Sequence, residues 1–224
     1  LALSSSVLED INSFDSQKPK ALSPHPVYDN FGKSVSKQEA ISHLELDPQY
    51  KYILFFGLIR DYKGLDLLIE AMPMVKEKSV RLIIAGEYYS DRNFYTDLLQ
   101  KNGLKDTVID VNGFVAQDEV KYYFCASDLV VQPYKSATQS GVTQIAYHFN
   151  KPMVVTNVGG LTEMCPHGKV GYVVEPNPRE VAKGINQFFL EADLEQMTKN
   201  IIEEKKKYSW NKLSNEIYSL ADKC

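Results

Sequence analysis

From Lys51 onward, apolar and polar positions alternate in regular blocks. KYILFFGL is apolar through its middle, as a strand covered on both faces must be. GLDLLIEAMPMV places Leu65, Leu68, Ile69 and Met72 at i, i+3, i+4 and i+7, one face of a helix. VRLIIAGE predicts a second strand. NFYTDLLQKNG predicts a second helix ending at Gly103, where glycine suits the residue after a helix. VIDVNGFV predicts a third strand and turn, DEVKYYFCAS a short helix, and LVVQPY a fourth strand. A polar loop, Ser136 to Gly141, then opens another helix, followed by the strands MVVTNV and VGYVVEP. PREVAKGINQFFL, DLEQMTKNIIEEKKKY and WNKLSNEIYSLADK read as closing helices. Strands alternating with helices predict an α/β fold, a Rossmann-like parallel sheet with helices on both faces.

The chain before Lys51 is less regular. LALSSSVLEDINSF reads as the end of a strand and a capped helix, with Ser6 and Asp10, or Ser5 and Leu8, as alternative starts. A chain opening inside a strand pattern, on Leu1, is expected to be a piece of a longer protein. In KPKALSPHPVYDNFGKS, Pro19, Pro24, Pro26 and a glycine read as a linker or domain crossing.

Composition narrows the function classes. The 224 residues carry a net charge of −4, which argues against a nucleic-acid partner, since such proteins present a basic face. Cys125, Cys165 and Cys224 lie far apart, with no CxxC or Cys/His cluster, so neither a disulfide framework nor a metal site is expected. A reducing cytoplasm is the expected setting. No apolar run approaches the ~20 residues a membrane span needs.

The carboxyl ends of the strands hold the candidate chemistry, because ligands of parallel sheets bind there. After strand one comes Gly57-Leu58-Ile59-Arg60-Asp61-Tyr62-Lys63-Gly64, with two cations just before a helix. Gly86-Glu87 follows strand two, Gly113-Phe114-Val115 strand three, the Ser136–Gly141 loop strand four, and Gly159-Gly160 strand five, with Glu163 behind it. A lone loop lysine is usually a solvated charge and a lone glycine usually only a turn. His148 reads as an exposed helix residue, Tyr122, Tyr123 and Phe124 as helix packing, and Lys205-Lys206-Lys207 as a solvated face. Five loops converging on one rim favour a ligand. The helix opened by Ser140, Gly141 and Val142 has free N–H groups, a positive dipole end and no acidic residue, so an anion suits it. Charge-assisted hydrogen bonds contribute roughly 1.5–3 kcal/mol each, enough after association costs for micromolar-to-millimolar diphosphate binding. A dinucleotide dehydrogenase is disfavoured, because GLIRDYKG stands where G-x-G-x-x-G belongs, and a P-loop is absent.

GLIRDYKGLDLLIEA, LIIAGE, NGFV, ASDLVVQPY, NKPMVVTNVGGLTE and GYVVEP, in that order, resemble the donor-binding half of a two-Rossmann-domain (GT-B) retaining glycosyltransferase, of the family-4 "glycosyl transferases group 1" type. The resemblance implies that Arg60 and Lys63, with Ser140, Gly141 and Val142, hold a donor diphosphate. It implies that Gly57, Gly86, Glu87, Gly113, Phe114 and Val115 hold the nucleotide. The family's arginine usually follows the glycine here numbered 57, where this chain has Leu58 and then Arg60 two residues on.

A larger departure follows. The family's two glutamates, with seven residues between them, fall on Ala137 and Ile145. Thr138, Gln139 and Gln144 are left as polar groups for the donor sugar or ribose. The resemblance implies transfer from a nucleoside-diphosphate sugar to a glycan or lipid-linked acceptor, with no further cofactor and no metal. The alternatives are a nucleotide-sugar-binding module without catalysis and a sugar-nucleotide epimerase.

The same resemblance divides the chain. Residues 1–26 become the tail of an N-terminal acceptor domain, a strand-helix-strand remnant. Residues 27–50 become linker and lead-in, 51–208 the nucleotide-sugar domain, and 209–224 a crossing helix. The acceptor would bind mainly through the missing N-terminal domain, this fragment alone would be nearly inactive, and the full protein could associate peripherally with the inner face of a membrane.

Overall fold

Six short apolar segments pair into one sheet: β1 (Lys51–Phe56), β2 (Val80–Gly86), β3 (Val108–Asn112), β4 (Leu129–Gln132), β5 (Met153–Thr156) and β6 (Gly171–Val174). The computed structural model describes residues 1–223, so Cys224 lies outside the described residues. Strand order is β3-β2-β1-β4-β5-β6 and every pairing is parallel. Ile53 lies opposite Leu82 on one side and Leu129 on the other, and Val154 opposite Val131 and Tyr172. Parallel strands need crossovers, and helices supply them. The direction of winding reverses between β1 and β4, which opens a crevice at that edge of the sheet.

The helices are α1 (Ser5–Phe14), α2 (Lys37–His43), α3 (Leu65–Ala71), α4 (Arg92–Lys101), α5 (Val120–Ala126), α6 (Gly141–His148), α7 (Pro178–Glu191), α8 (Leu194–Glu204) and α9 (Trp210–Ala221). Ile53, Leu54, Leu82, Ile84, Val130 and Val155 fill the sheet's centre, all fully buried, with Leu65, Leu68 and Ile69 of α3 packed among them. The expected parallel sheet is therefore present, with the strands where the apolar blocks placed them.

The first 50 residues depart from expectation. Ser4, not Ser5 or Ser6, caps α1, its hydroxyl accepting from the Val7 N–H. The anticipated strands flanking α1 reduce to one parallel bridge, Ala2 to Leu22. Residues 27–50 are not linker alone. They contain α2, capped by Ser36, whose hydroxyl accepts from the Glu39 N–H at 3.1 Å. KQEAISH buries only two apolar residues, Ala40 and Ile41, too few to set a helical period. Lys205 is no solvated charge, since its Nζ donates to Asn150 Oδ1 at 2.7 Å beside the carboxyl end of α6. Lys206 and Lys207 do pair outward, with Glu203 and Glu204.

One contact fixes the edge where the winding reverses. Gly64 has φ +67°, and a Cβ there would stand 2.0 Å from the Pro133 carbonyl oxygen. The loop after β1 thus lies directly on the chain leaving β4. Lys135 locks the two, its N–H donating to the Tyr62 carbonyl at 2.7 Å and its ammonium pairing with Asp61 at 2.7 Å and Asp66 at 2.9 Å. Gly64→Ala is expected to lose about 2 kcal/mol or more of stability, from left-handed strain plus the clash, read as a lower urea midpoint.

Candidate functional site

A cavity of about 350 Å³ opens at the carboxyl ends of β1, β2 and β3. Its walls include Gly57, Gly86, Glu87, Gly113, Phe114 and Val115, all the residues assigned above to the nucleotide. Gly86 lets the walls close, because a Cβ there would meet the Gly57 carbonyl oxygen at 2.0 Å. The loops continue the sheet's hydrogen bonding past the strands, Ile59 N–H donating to the Glu87 carbonyl at 2.8 Å and Gly113 N–H to that of Gly86 at 3.2 Å. Asn30 and Phe31, from the segment read as linker, also line the cavity. Nothing in their spacing announces this.

Lys63 stands beside Gly57, a residue of the cavity wall. Its side chain runs inward, leaving the residue 8% exposed, and its Nζ sits 3.1 Å from where a Gly57 Cβ would stand. The ammonium lies 5.6 Å from the centre of the Tyr134 ring. Among the described residues no carboxylate pairs with it. Burial, and then the nearby Arg60 charge, push its pKa down to about 8. Arg60 is exposed, its guanidinium 5.1 Å from the Tyr89 ring centre.

The start of α6 faces the same point. Val142 Cγ2 lies 3.8 Å from the Gly57 Cβ position, so Lys63, Gly57 and the first turn of α6 meet there. No side chain caps α6 and its first turn holds no acidic residue, which leaves N–H groups for an anion. The Ser140 hydroxyl is already committed, donating to Gln132 Oε1 at 2.7 Å and lying 3.2 Å from the Tyr134 hydroxyl. Ser140 can therefore offer a ligand only its backbone. Thr143 adds a second hydroxyl to Gln132 Oε1 at 3.0 Å. The buried Gln132 was missed, although an amide ending an apolar strand was the signal available.

The residues assigned to the sugar or ribose are less united. Thr138 is exposed, and its carbonyl accepts from the Gly160 N–H at 3.2 Å. Gln139 is half-buried, with its Oε1 unpartnered. Gln144 is fully buried with neither amide atom partnered, so as placed it does not open onto the cavity. Ala137 is half-buried and Ile145 lies in the core. His148 is not a bare surface residue, its Nε2 lying 2.7 Å from the Gly32 carbonyl oxygen. Glu163 instead receives the Ser5 N–H at 3.1 Å and hydroxyl at 3.0 Å, at the start of α1. Cys125 and Cys165 are buried free thiols, and no helix among the described residues is long and apolar enough to cross a membrane.

A six-stranded parallel sheet with a winding reversal between β1 and β4 and helices on its faces defines a Rossmann-like α/β fold. The family profile "Glycosyl transferases group 1" matches residues 50–190, and the chain belongs to that family, as the C-terminal domain of a GT-B fold. An uncharacterized glycosyltransferase of Methanocaldococcus jannaschii is 32% identical over 202 residues, covering 86% of this chain and 48% of the relative. The C-terminal domain of a Francisella tularensis glycosyl transferase group 1 protein superimposes with a TM-score of 0.70 at 20% identity, covering 81% of this chain and 97% of that one. HepE of Anabaena in complex with UDP superimposes with a TM-score of 0.80 at 18% identity, covering 91% of this chain and 57% of that one. The chain spans about half the length of the curated relatives it matches.

The Lys63 pKa carries a stability sign. The folded value, about 8, lies below the 10.5 of a free lysine, so between these values the unfolded chain binds more protons. Stability should rise as pH climbs from 8 to 10.5, and the full penalty, on the order of 3 kcal/mol, applies below pH 8. Lys63→Met should be more stable than wild type at pH 7 and lack the alkaline rise, measured by urea unfolding across pH.

Proposed function

We propose that this chain holds the nucleoside-diphosphate sugar donor of a glycosyltransferase that moves a hexose to a glycan or lipid-linked acceptor with retention of anomeric configuration. The observation that carries this reading is the buried, unpaired Lys63 ammonium at the junction of the β1 loop, α6 and the apolar cavity. A buried cation without a carboxylate is costly unless its counter-charge comes from a ligand. A diphosphate at the start of α6 supplies that charge, and a base fits the adjoining cavity. The UDP bound to HepE, a protein of like fold, supports the same ligand class.

The chemistry assigned to these residues is leaving-group stabilisation. As the bond from the sugar to the diphosphate breaks, charge accumulates on the phosphate oxygens. Lys63, Arg60 and the N–H groups of Gly141 and Val142 are assigned to stabilise that charge more strongly than the charge of the ground state. The acceptor is assigned to another domain of the full protein. A second reading, donor binding without transfer, is favoured by Ala137 and Ile145, neither of which offers a carboxylate to a sugar hydroxyl.

Calorimetry with UDP and GDP tests the binding. A micromolar-to-millimolar Kd is expected for one of them, weakened roughly tenfold or more in Lys63→Ala, the value of one charge-assisted bond. Wild-type affinity should fall as pH rises through about 8, as Lys63 loses its proton, and that fall should vanish in the variant. Equal affinities at pH 7 would sink the role given to Lys63. Sugar transfer by the full-length protein separates the enzyme from the binding module.

A further inference from the structure

Three phenyl rings line the cavity, from Phe31, Phe56 and Phe114. Phe56 is committed to the core, edge-on to Phe124 at 5.1 Å. Phe114 is 81% exposed although it borders an apolar space. Phe31 arrives from a distant part of the chain and is held there. Gln117 Nε2 donates to the Asn30 carbonyl at 2.6 Å, His148 Nε2 lies 2.7 Å from the Gly32 carbonyl oxygen, and Tyr28 meets Phe31 edge-on at 6.3 Å. Tyr28 also lies on the first residue of α6, its Cε2 3.1 Å from where a Gly141 Cβ would stand. One short segment therefore touches both the cavity and the anion-facing end of α6.

We propose that the segment Tyr28–Gly32 reads the donor's base, with Phe31 and Phe114 as a pair of specificity-determining residues that take the flat heteroaromatic ring. The proposal rests on the donor reading above. An exposed phenyl at the mouth of an apolar cavity gains most from a ligand that covers its face, and a nucleobase is such a ligand. The phosphates then run toward Lys63 and α6. Base contact is shared between the β3 loop and the segment that precedes the sheet.

Calorimetry on this chain with UDP, GDP and inorganic pyrophosphate tests the pair. Phe114→Ala and Phe31→Ala should each weaken binding of the preferred nucleotide about tenfold, the loss expected for one stacking contact, and leave pyrophosphate affinity unchanged. Phe114→Trp should keep nucleotide affinity. Because Phe31 packs partly against the core, Phe31→Leu retains volume without the flat face and should show the same selective loss. Unchanged nucleotide affinity in Phe114→Ala, or an equal loss of pyrophosphate binding, would overturn the proposal. Wild-type protein that binds pyrophosphate but neither nucleotide also overturns it while sparing the anion site. Wild-type protein that binds none of the three overturns the donor reading itself.

Discussion

The seam between β1 and β4 is the constraint on which the rest of the site depends. Winding reverses there, so the loops leaving the two strands turn toward opposite faces and leave a crevice. In this protein the crevice is held at backbone distance. Gly64 rests on the Pro133 carbonyl, and Lys135 spans the gap to Asp61 and Asp66. Those contacts set where Lys63 stands relative to α6. A looser seam would leave both elements intact and separate the ammonium from the N–H groups at the start of α6.

Local inconsistencies gather at this edge. A lysine lies buried without a counter-charge, Gln144 and Gln139 have unpartnered amide atoms, and Phe114 stands in water. An unsatisfied buried polar group costs roughly 1–3 kcal/mol. Elsewhere the molecule is consistent with itself, with β4 and β5 fully covered and helices capped by Ser36, Asn177, Asp193 and Ser209. Stability given up along one edge of an otherwise consistent fold is the usual mark of a functional site.

The sheet was legible because most strands are largely apolar blocks set off by glycines and helical spacing. Lys63, Gly57 and the three glycine-bearing loops were legible for the same reason, since each follows directly on such a block. Asn30 and Phe31 were not, because their place in the cavity depends on Gln117 and His148 gripping the backbone from elements far along the chain. Helix α2 was hidden because only Ala40 and Ile41 of its residues are buried, too few to set a period. Such cases need tertiary contacts that no local pattern encodes.

The exchange of two expected carboxylates for Ala137 and Ile145 is more coherent in three dimensions than in one. Ile145 is nearly fully buried within the core, and a carboxylate in that seat would need a partner or a large desolvation cost. The polar work of the region has moved inward instead. Gln132 collects hydroxyls from Ser140 and Thr143, and Tyr134 braces Ser140 from the other side. This network grips α6 at the residue before its first turn, so the direction of the Gly141 and Val142 N–H groups is set from beneath. The anion-facing half of the site therefore does not depend on the missing carboxylates. What their absence removes is two carboxylates from the loop and helix that follow β4.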